Sequence, residues 1–204
     1  VPRGYIKNLT VKADIVSVEV RVLGGAEEKR LTVVYGNRAE QYTFTGESFS
    51  FVPSEILLWT PEEPNLYRIT VSSGDDVVES YFAMRQISVE NRGGKSYICL
   101  NGKPYFFNGL LDQGYYSDGI YLPKTPQGYL DDILKTKEMG FNMLRKHIKV
   151  EPQLFYYYCD ERSGTFLSQP LHYDRRVVFE RLCAIYDVAS YGENYDRFYD
   201  CGGI

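Results

Sequence analysis

The chain has 204 residues, of which 44% are hydrophobic and 25% charged, so it is long enough to bury a core as one large or two small globular domains. Its formal net charge of -4 and its pI near 5.3 argue against binding to nucleic acid or to an anionic membrane surface. Its apolar runs are far shorter than the roughly 20 residues of a bilayer span, so no membrane-spanning segment is expected.

The first 90 residues carry the pattern of short β-strands. In residues 15–23, valines alternate with polar residues, which is the period of a half-buried strand. Further strand candidates follow at 31–35, 41–45, 48–52, 67–71 and 77–84. Glycine-containing turns or the two prolines of residues 60–64 separate them. About seven short strands at this spacing predict an immunoglobulin-like β-sandwich over residues 1–90.

The pattern changes after residue 95. Two apolar runs, 96–100 and 103–107, flank Asn101-Gly102, and this pattern predicts a hairpin. Pro126 and Gly140 then mark the two ends of a predicted helix, residues 141–145 form an apolar strand, and a second helix is expected over 152–160. Strands that alternate with helices over short connections predict the beginning of a parallel α/β arrangement.

Polar side chains follow the two predicted parallel strands, at 108–116 and at 145–149. The carboxyl ends of parallel barrel strands are where substrates bind, so these clusters supply the candidates for a substrate pocket. The candidates are Asp112, Gln113, Tyr115, Tyr116, Arg145 and His147.

Each candidate also has a structural interpretation. Asp112 and Gln113 could bind ligand hydroxyls through carboxylate and amide groups, or could cap the loop after Asn108. Tyr115 and Tyr116 could stack on a ligand, or could be ordinary packing aromatics. At positions 145 and 147 the alternative to a role in the pocket is structural. The guanidinium could form an ion pair, and the imidazole could form a buried hydrogen bond.

The four cysteines, Cys99, Cys159, Cys183 and Cys201, match neither a zinc ligand pair nor a dense disulfide framework. We interpret them as reduced, which slightly favours the cytoplasm. Since the chain has only two histidines, neither close to a cysteine, no metal site is predicted, and no cofactor motif is visible.

Four segments, in order along the chain, resemble glycoside hydrolase family 2. Leu58 to Tyr67 (LWTPEEPNLY) is similar to the segment that closes the immunoglobulin-like domain of that family. The segment LNGKP from Leu100, with Asn108-Gly109, is similar to the start of its catalytic barrel. MGFNMLR, ending at Arg145, resembles its second barrel strand, and Cys159-Asp160-Glu161 resembles the end of the helix that follows.

The resemblance implies an exo-acting retaining β-glycosidase, related to β-galactosidases, β-glucuronidases and β-mannosidases, in which a sandwich precedes a (β/α)8 TIM barrel. It implies a carbohydrate substrate, no cofactor, and an arginine at position 145 that keeps the nucleophilic carboxylate charged. The family pattern Arg-x-Ser-His has its histidine three residues after the arginine, whereas His147 stands two residues after Arg145.

The same resemblance implies that the catalytic glutamates are missing. In this family the acid/base glutamate follows an asparagine, and the chain contains no Asn-Glu dipeptide. A barrel takes about 250 residues, so residues 91–161 hold only its first strand-helix units and the barrel is expected to be truncated and inactive by itself.

Residues 162–204 match no family segment, although a helix is plausible near 174–190. This tail is interpreted as a rearranged sequence, as the end of a frame-shifted gene, or as barrel sequence from which residues are omitted. Two other hypotheses concern the whole chain. It could be a non-catalytic module that binds carbohydrate through exposed aromatics or braces a partner domain, and the open edge of an incomplete barrel could pair with another copy.

Overall fold

The structure is a computed structural model that describes residues 5–117, 119–147, 149–162 and 165–169, the last range by its backbone. These residues fall into two compact units, the first formed by 5–59 and 65–86 and the second by 60–64 and 87–169. The helix expected near 174–190 lies outside the described residues.

The first unit is a β-sandwich, as the sequence predicts. One sheet has the strand order β1-β2-β5 and the other has the order β4-β3-β6-β7, and all neighbouring strands are antiparallel. The strands are β1 (Ile6–Ala13), β2 (Val18–Gly24), β3 (Glu28–Tyr35), β4 (Arg38–Thr45), β5 (Ser48–Phe51), β6 (Tyr67–Ser73) and β7 (Asp76–Phe82). Strand β1 is absent from the sequence prediction because an irregular pairing near Ile6 and Asn8 disturbs its alternation.

The apolar faces of both sheets form one core. In β2 the valines at 18, 20 and 22 are all 0% exposed, which confirms the predicted alternation for these three. The prediction is wrong for Val16, which is 60% exposed because it precedes the start of the strand. Trp59, which follows the sandwich strands of the first sheet, is 1% exposed, and the guanidinium of Arg85 lies 4.5 Å from the centroid of its ring.

A saturated carboxylate joins β3 and β4 to the segment after β5. The carboxylate of Glu40 accepts hydrogen bonds from the hydroxyls of Tyr35, Tyr42 and Ser54 and from the backbone N–H of Ser54 at 2.9 Å. Burial raises the pKa of this carboxyl, but the hydrogen bonds outweigh burial and hold the pKa at about 2. The charged form of Glu40 therefore stabilises the sandwich.

We expect Glu40→Gln to remove part of the acid sensitivity of the sandwich. Because the folded-state pKa lies below the unfolded value near 4.5, the stabilisation is complete above pH 4.5 and is lost as the pH falls towards 2. At pH 7 the variant should be less stable by about 2 kcal/mol, after a discount for partial exposure, and the two proteins should converge on acidification. Urea titrations at several pH values measure this, with the exposed Glu79→Gln as the control. An equal gap at pH 7 and pH 2.5 would refute the assignment.

The second unit begins with a small antiparallel sheet of order β10-β9-β8 and continues with a parallel sheet of order β11-β12-β13. Helix α1 connects the first two parallel strands, and α2 connects the second to the third. The elements are β8 (Ile87–Arg92), β9 (Lys95–Leu100), β10 (Lys103–Pro104), β11 (Gly109–Asp112), α1 (Gln127–Glu138), β12 (Met143–His147), α2 (Gln153–Arg162) and β13 (Thr165–Gln169). Within the described residues, no helix is long and apolar enough to cross a membrane.

The predicted helix over 126–140 is confirmed as α1. Gly140 has a φ of +84°, its N–H bonds the carbonyl of Lys137, and the N–H of Phe141 bonds that of Thr136. This pair of bonds is a Schellman motif, which needs a left-handed residue at the glycine position and turns the chain directly into β12.

The first parallel strand lies later in the chain than predicted. The run 103–107 was expected to pair as the second strand of a hairpin, but β10 ends at Pro104 and the parallel strand is β11. Asn108 was predicted to follow the first parallel strand, but it directly precedes that strand, β11. Its N–H donates to Oδ1 of Asn142 at 2.8 Å, and the Asn142 N–H donates to the carbonyl of Asn108 at 2.9 Å. The two asparagines thus fix the amino ends of β11 and β12.

Candidate functional site

Strand β12 divides the candidate residues between its two faces. Leu144 and Lys146 are 5% and 0% exposed, whereas Arg145 and His147 are half-buried at the alternate positions. The ammonium of Lys146 lies 4.4 Å from the ring centroid of Phe155 in α2, so the buried face is the one that this helix covers. Arg145 and His147 therefore share the opposite face, which we call the open face.

The register places Asp112 on the helix-covered face. Asp112 pairs with Lys146 across the parallel strands, and its carboxylate forms an ion pair with the Lys146 ammonium. Leu111, which pairs with Arg145, lies on the open face and is 54% exposed. The structure thus brings Arg145 and His147 to one face but does not bring Asp112 to them.

Lys146 lies between two carboxylates. Besides Asp112, it contacts Oε1 of Glu151 at 2.7 Å, and the side chains of both Lys146 and Glu151 are 0% exposed. The contact to Glu151 has the distance of an ion pair without the alignment of a hydrogen bond. The Glu151 N–H donates to the hydroxyl of Tyr156 at 2.9 Å, so the segment after β12 is held against α2.

Lys149 connects this pair to the loop after β11. Its ammonium donates to the carbonyl of Gly114 at 2.6 Å and to the carbonyl of Tyr121, and lies 3.1 Å from Oε1 of Glu151. The N–H of Gly114 donates to Oδ1 of Asp112 at 2.7 Å. Gly114 has a φ of +68°, and a Cβ atom there would lie 2.7 Å from Nζ of Lys149, so a side chain would strain the backbone and displace the Lys149 and Glu151 side chains.

Two ammonium groups and two carboxylates form this cluster, which we call the lysine-carboxylate cluster: Asp112, Lys146, Lys149 and Glu151. Its formal charges cancel, which is the condition under which buried ions are tolerated. The cluster joins the carboxyl ends of β11 and β12 to the loop after β11 and to the start of α2. Both oxygens of Asp112 are engaged in it, one with Gly114 and one with Lys146.

The other candidates differ in exposure. Gln113 is exposed, and Tyr115 is 61% exposed. Tyr116 is half-buried, packs edge-on against Tyr129 of α1 at 5.7 Å between centroids, and lies under the Lys149 ammonium at 5.6 Å. Burial, followed by the nearby carboxylates of which that of Asp132 is the strongest, raises the pKa of the Tyr116 phenol far above its usual value. Tyr116 is therefore a neutral packing residue next to the cluster.

Lys146 and Glu151 were not candidates in the sequence analysis, although a signal for them exists. Arg145, Lys146 and His147 are consecutive in a predicted strand, and alternation requires the middle one to face the other way. A lysine on the helix-covered face needs a carboxylate partner, and Glu151 is the next acidic residue along the chain.

Cys99 and Cys159 are free and buried. Burial, followed by the neighbouring Asp160, raises the pKa of the Cys159 thiol well above its ordinary value, so this thiol is protonated and unreactive at neutral pH. In the part of the chain that the structure describes, no three His, Cys, Asp or Glu side chains are placed to hold a metal ion.

Known proteins resemble this chain in sequence and in fold. Residues 5–85 match the family model described as glycosyl hydrolases family 2. A β-galactosidase of Pseudoalteromonas haloplanktis is 31% identical over 109 residues, which are 50% of this chain and 10% of that protein. A β-galactosidase of Clostridium acetobutylicum is 26% identical over 203 residues, which are 89% of this chain and 22% of that protein.

A solved structure, a β-glucuronidase of Faecalibacterium prausnitzii, superposes with a TM-score of 0.71 at 24% identity and covers 83% of this chain and 28% of that one. At this identity the likeness shows the fold. The chain thus spans between a tenth and about three tenths of the length of these relatives.

Proposed function

We propose that this chain, whose residues 5–85 match the model of glycosyl hydrolases family 2, is the sandwich and the opening of the catalytic barrel of a retaining exo-β-glycosidase of that family. The proposed enzyme hydrolyses terminal β-linked sugars through a covalent intermediate and without a cofactor. In this proposal residues 1–90 form the sandwich domain and residues 91–161 open the barrel. Strand β13 (Thr165–Gln169) continues the barrel, and the rest of 162–204 stays unassigned.

The order of elements in the second unit supports a barrel. Strands β11, β12 and β13 are parallel neighbours in chain order, and a helix connects each to the next. In a (β/α)8 barrel the strands follow one another in this way, helices cover the outer face, and the opposite face lines the interior. The open face of β12 would then be the interior of the barrel.

The observation that carries the proposal is the position of Arg145 and His147 together on that open face at the carboxyl end of β12. A guanidinium there can form a bidentate pair with a nucleophilic carboxylate, which lowers the free energy of its charged form and keeps it ready to attack the sugar carbon. An imidazole two residues later, on the same face, can hydrogen-bond a sugar hydroxyl or that carboxylate.

Two other candidates enter the proposal with different roles. Gln113 is exposed after β11 and can donate to and accept from adjacent sugar hydroxyls through its amide. Asp112 supports the site from behind, because both of its oxygens hold Lys146 and the loop.

The chain of 204 residues is expected to be inactive by itself. A retaining glycosidase needs two carboxyl groups about 5 Å apart, and the Asn-Glu pair that carries the acid/base in this family is absent from the sequence. Assays with aryl β-galactosides, β-glucuronides and β-mannosides should give no turnover above buffer. Turnover that survives purification and is lost in Arg145→Gln would show that the catalytic carboxylates lie within this chain.

The activity itself is tested on a longer product of the same gene. Reading the gene beyond Ile204 in all three frames should reveal an Asn-Glu dipeptide and a second glutamate at a later strand end. The protein translated through them should hydrolyse one of the three aryl glycosides with retention of the anomeric configuration. Its Arg145→Gln variant should lose about a hundredfold or more in kcat with the fold intact. A folded, extended protein without turnover would overturn the proposal.

A further inference from the structure

A pair of tyrosines stands exposed on the loop after β11. Tyr115 and Tyr121 are 61% and 60% exposed, and their ring centroids are 5.5 Å apart at an interplanar angle of 42°. Ile120 and Leu122, 65% and 51% exposed, flank the second ring. Contiguous exposed apolar side chains of this kind mark binding surfaces more often than isolated ones do.

Hydrogen bonds hold the described residues on both sides of these rings. Tyr116 and Ile120 exchange two backbone hydrogen bonds of 2.8 and 2.9 Å, which closes the loop between the two tyrosines. The Lys149 ammonium donates hydrogen bonds to the carbonyl of Gly114, which precedes the first tyrosine, and to the carbonyl of Tyr121 itself. Backbone that is already hydrogen-bonded loses little conformational entropy on binding, so these bonds favour preorganised rings.

The backbone at Ile120 is conformationally strained. Its φ of +63° lies in the left-handed region, where a β-branched residue is a rare outlier. Such conformations persist where the surrounding structure imposes them, and they concentrate at ligand-binding and catalytic sites. Here the strained residue lies directly beside Tyr121.

We infer that Tyr115 and Tyr121 form a stacking platform for a pyranoside ring at the carboxyl end of β11. This inference rests on the proposed glycosidase function and adds to it a binding surface at the edge of the parallel sheet where substrates bind. A tyrosine offers a flat apolar face to the C–H groups of a sugar and a hydroxyl to its rim, which suits an amphipathic ligand better than a purely apolar one. The exposed amide of Gln113 lies two residues before the first ring and supplies a further hydrogen-bonding group.

The test is an NMR titration of the 204-residue chain, with labelled tyrosine rings, against methyl β-D-galactopyranoside and methyl β-D-glucuronide. We expect one of these glycosides to shift the signals of Tyr115 and Tyr121, and sorbitol, which has hydroxyls but no ring face, to leave them unchanged. Tyr115→Ala and Tyr121→Ala should each weaken the affinity by about fivefold or more, whereas the two Tyr→Phe variants should stay within about twofold.

Controls separate stacking from general effects. Tyr97→Ala removes another partly exposed tyrosine, on β9, and should leave the affinity unchanged. No shift at either ring up to the solubility limit of both glycosides would overturn the inference. Ring shifts that depend on chain concentration without glycoside, together with dimers in sedimentation, would overturn it in favour of contact between copies. An active extended enzyme that shows no ring shifts would refute the platform and leave the proposed function standing.

Discussion

Replacing Lys146 with methionine is expected to lower the free energy of unfolding by about 3 kcal/mol. The ammonium is fully buried between Asp112 and Glu151, and its removal leaves two carboxylates on the helix-covered face with Lys149 as the remaining cation. Removing one partner of a buried ion pair costs about 3–5 kcal/mol, and the lower value applies because Asp112 is 25% exposed. Methionine has a similar length and can still pack on Phe155, so the loss reports the charge rather than a cavity.

Urea unfolding followed by circular dichroism measures this loss. Lys135→Met, at an exposed position of α1, is the matched control and should change the free energy of unfolding by less than about 0.5 kcal/mol. The double variant Lys146→Met/Glu151→Gln removes one charge of each sign and should recover about half of the loss. If Lys146→Met is as stable as the parent, the cluster does not hold the ends of β11 and β12.

Replacing Trp59 with alanine is expected to cost about 3–5 kcal/mol, because this is the cost of truncating a large, fully buried aromatic side chain. Trp59 is 1% exposed, its backbone N–H donates to the carbonyl of Met84 at 2.9 Å, and the guanidinium of Arg85 covers its ring. The variant loses both the apolar contacts and the cation–π contact. It therefore tests whether the segment LWTPEEPNLY closes the sandwich by packing.

Trp59→Phe separates these contributions. Phenylalanine keeps much of the apolar volume and should cost about 1–2 kcal/mol. Because Trp59 is the sole tryptophan of the chain, these variants lose the fluorescence signal and must be compared by circular dichroism. The exposed Val52→Ala is the control within the same unit. A loss below 1 kcal/mol for Trp59→Ala would mean that the buried ring contributes little to the stability of this unit.

The sandwich was predictable because its signals are local. Alternating valines in β2 and glycine turns between strands depend on the period of the pleat and on backbone conformation, both of which act over a few residues. Strand β8 was missed for the opposite reason. Its residues are mostly exposed or half-buried, so no apolar alternation distinguishes it from a loop.

The sequence named some residues of the candidate site but not its geometry. The sequence placed Asp112 and Arg145 near the carboxyl ends of neighbouring strands, and both lie there. Which face each side chain takes depends on the register between β11 and β12, and a shift of one residue reverses the faces. The expected strand at 103–107 set a different start for β11, so the pairing of Asp112 with Lys146 could not be foreseen.

Lys146 itself illustrates a further limit of sequence patterns. A lysine between an arginine and a histidine suggests a solvated segment, since lysines are almost never fully buried unless they are paired. Its burial depends on Glu151, which lies beyond the end of β12, and on Asp112, which lies on another strand. The pair with Asp112 joins two strands that are far apart in the chain, and such a pair leaves no periodic trace in one sequence.

The alternation of charges along β12 also restricts insertions and deletions. Because Lys146 is paired with the buried carboxylate of Glu151, deleting one residue between Gly140 and Met143 would move Arg145 or His147 into the helix-covered layer and would expose the lysine. The wrong pairing would bury a cation of different shape beside Glu151, so it is excluded by electrostatics as well as by packing. The charged side chains of β12 consequently determine its register. We expect a change in their spacing to destabilise the fold more than an exchange of the apolar side chains around them.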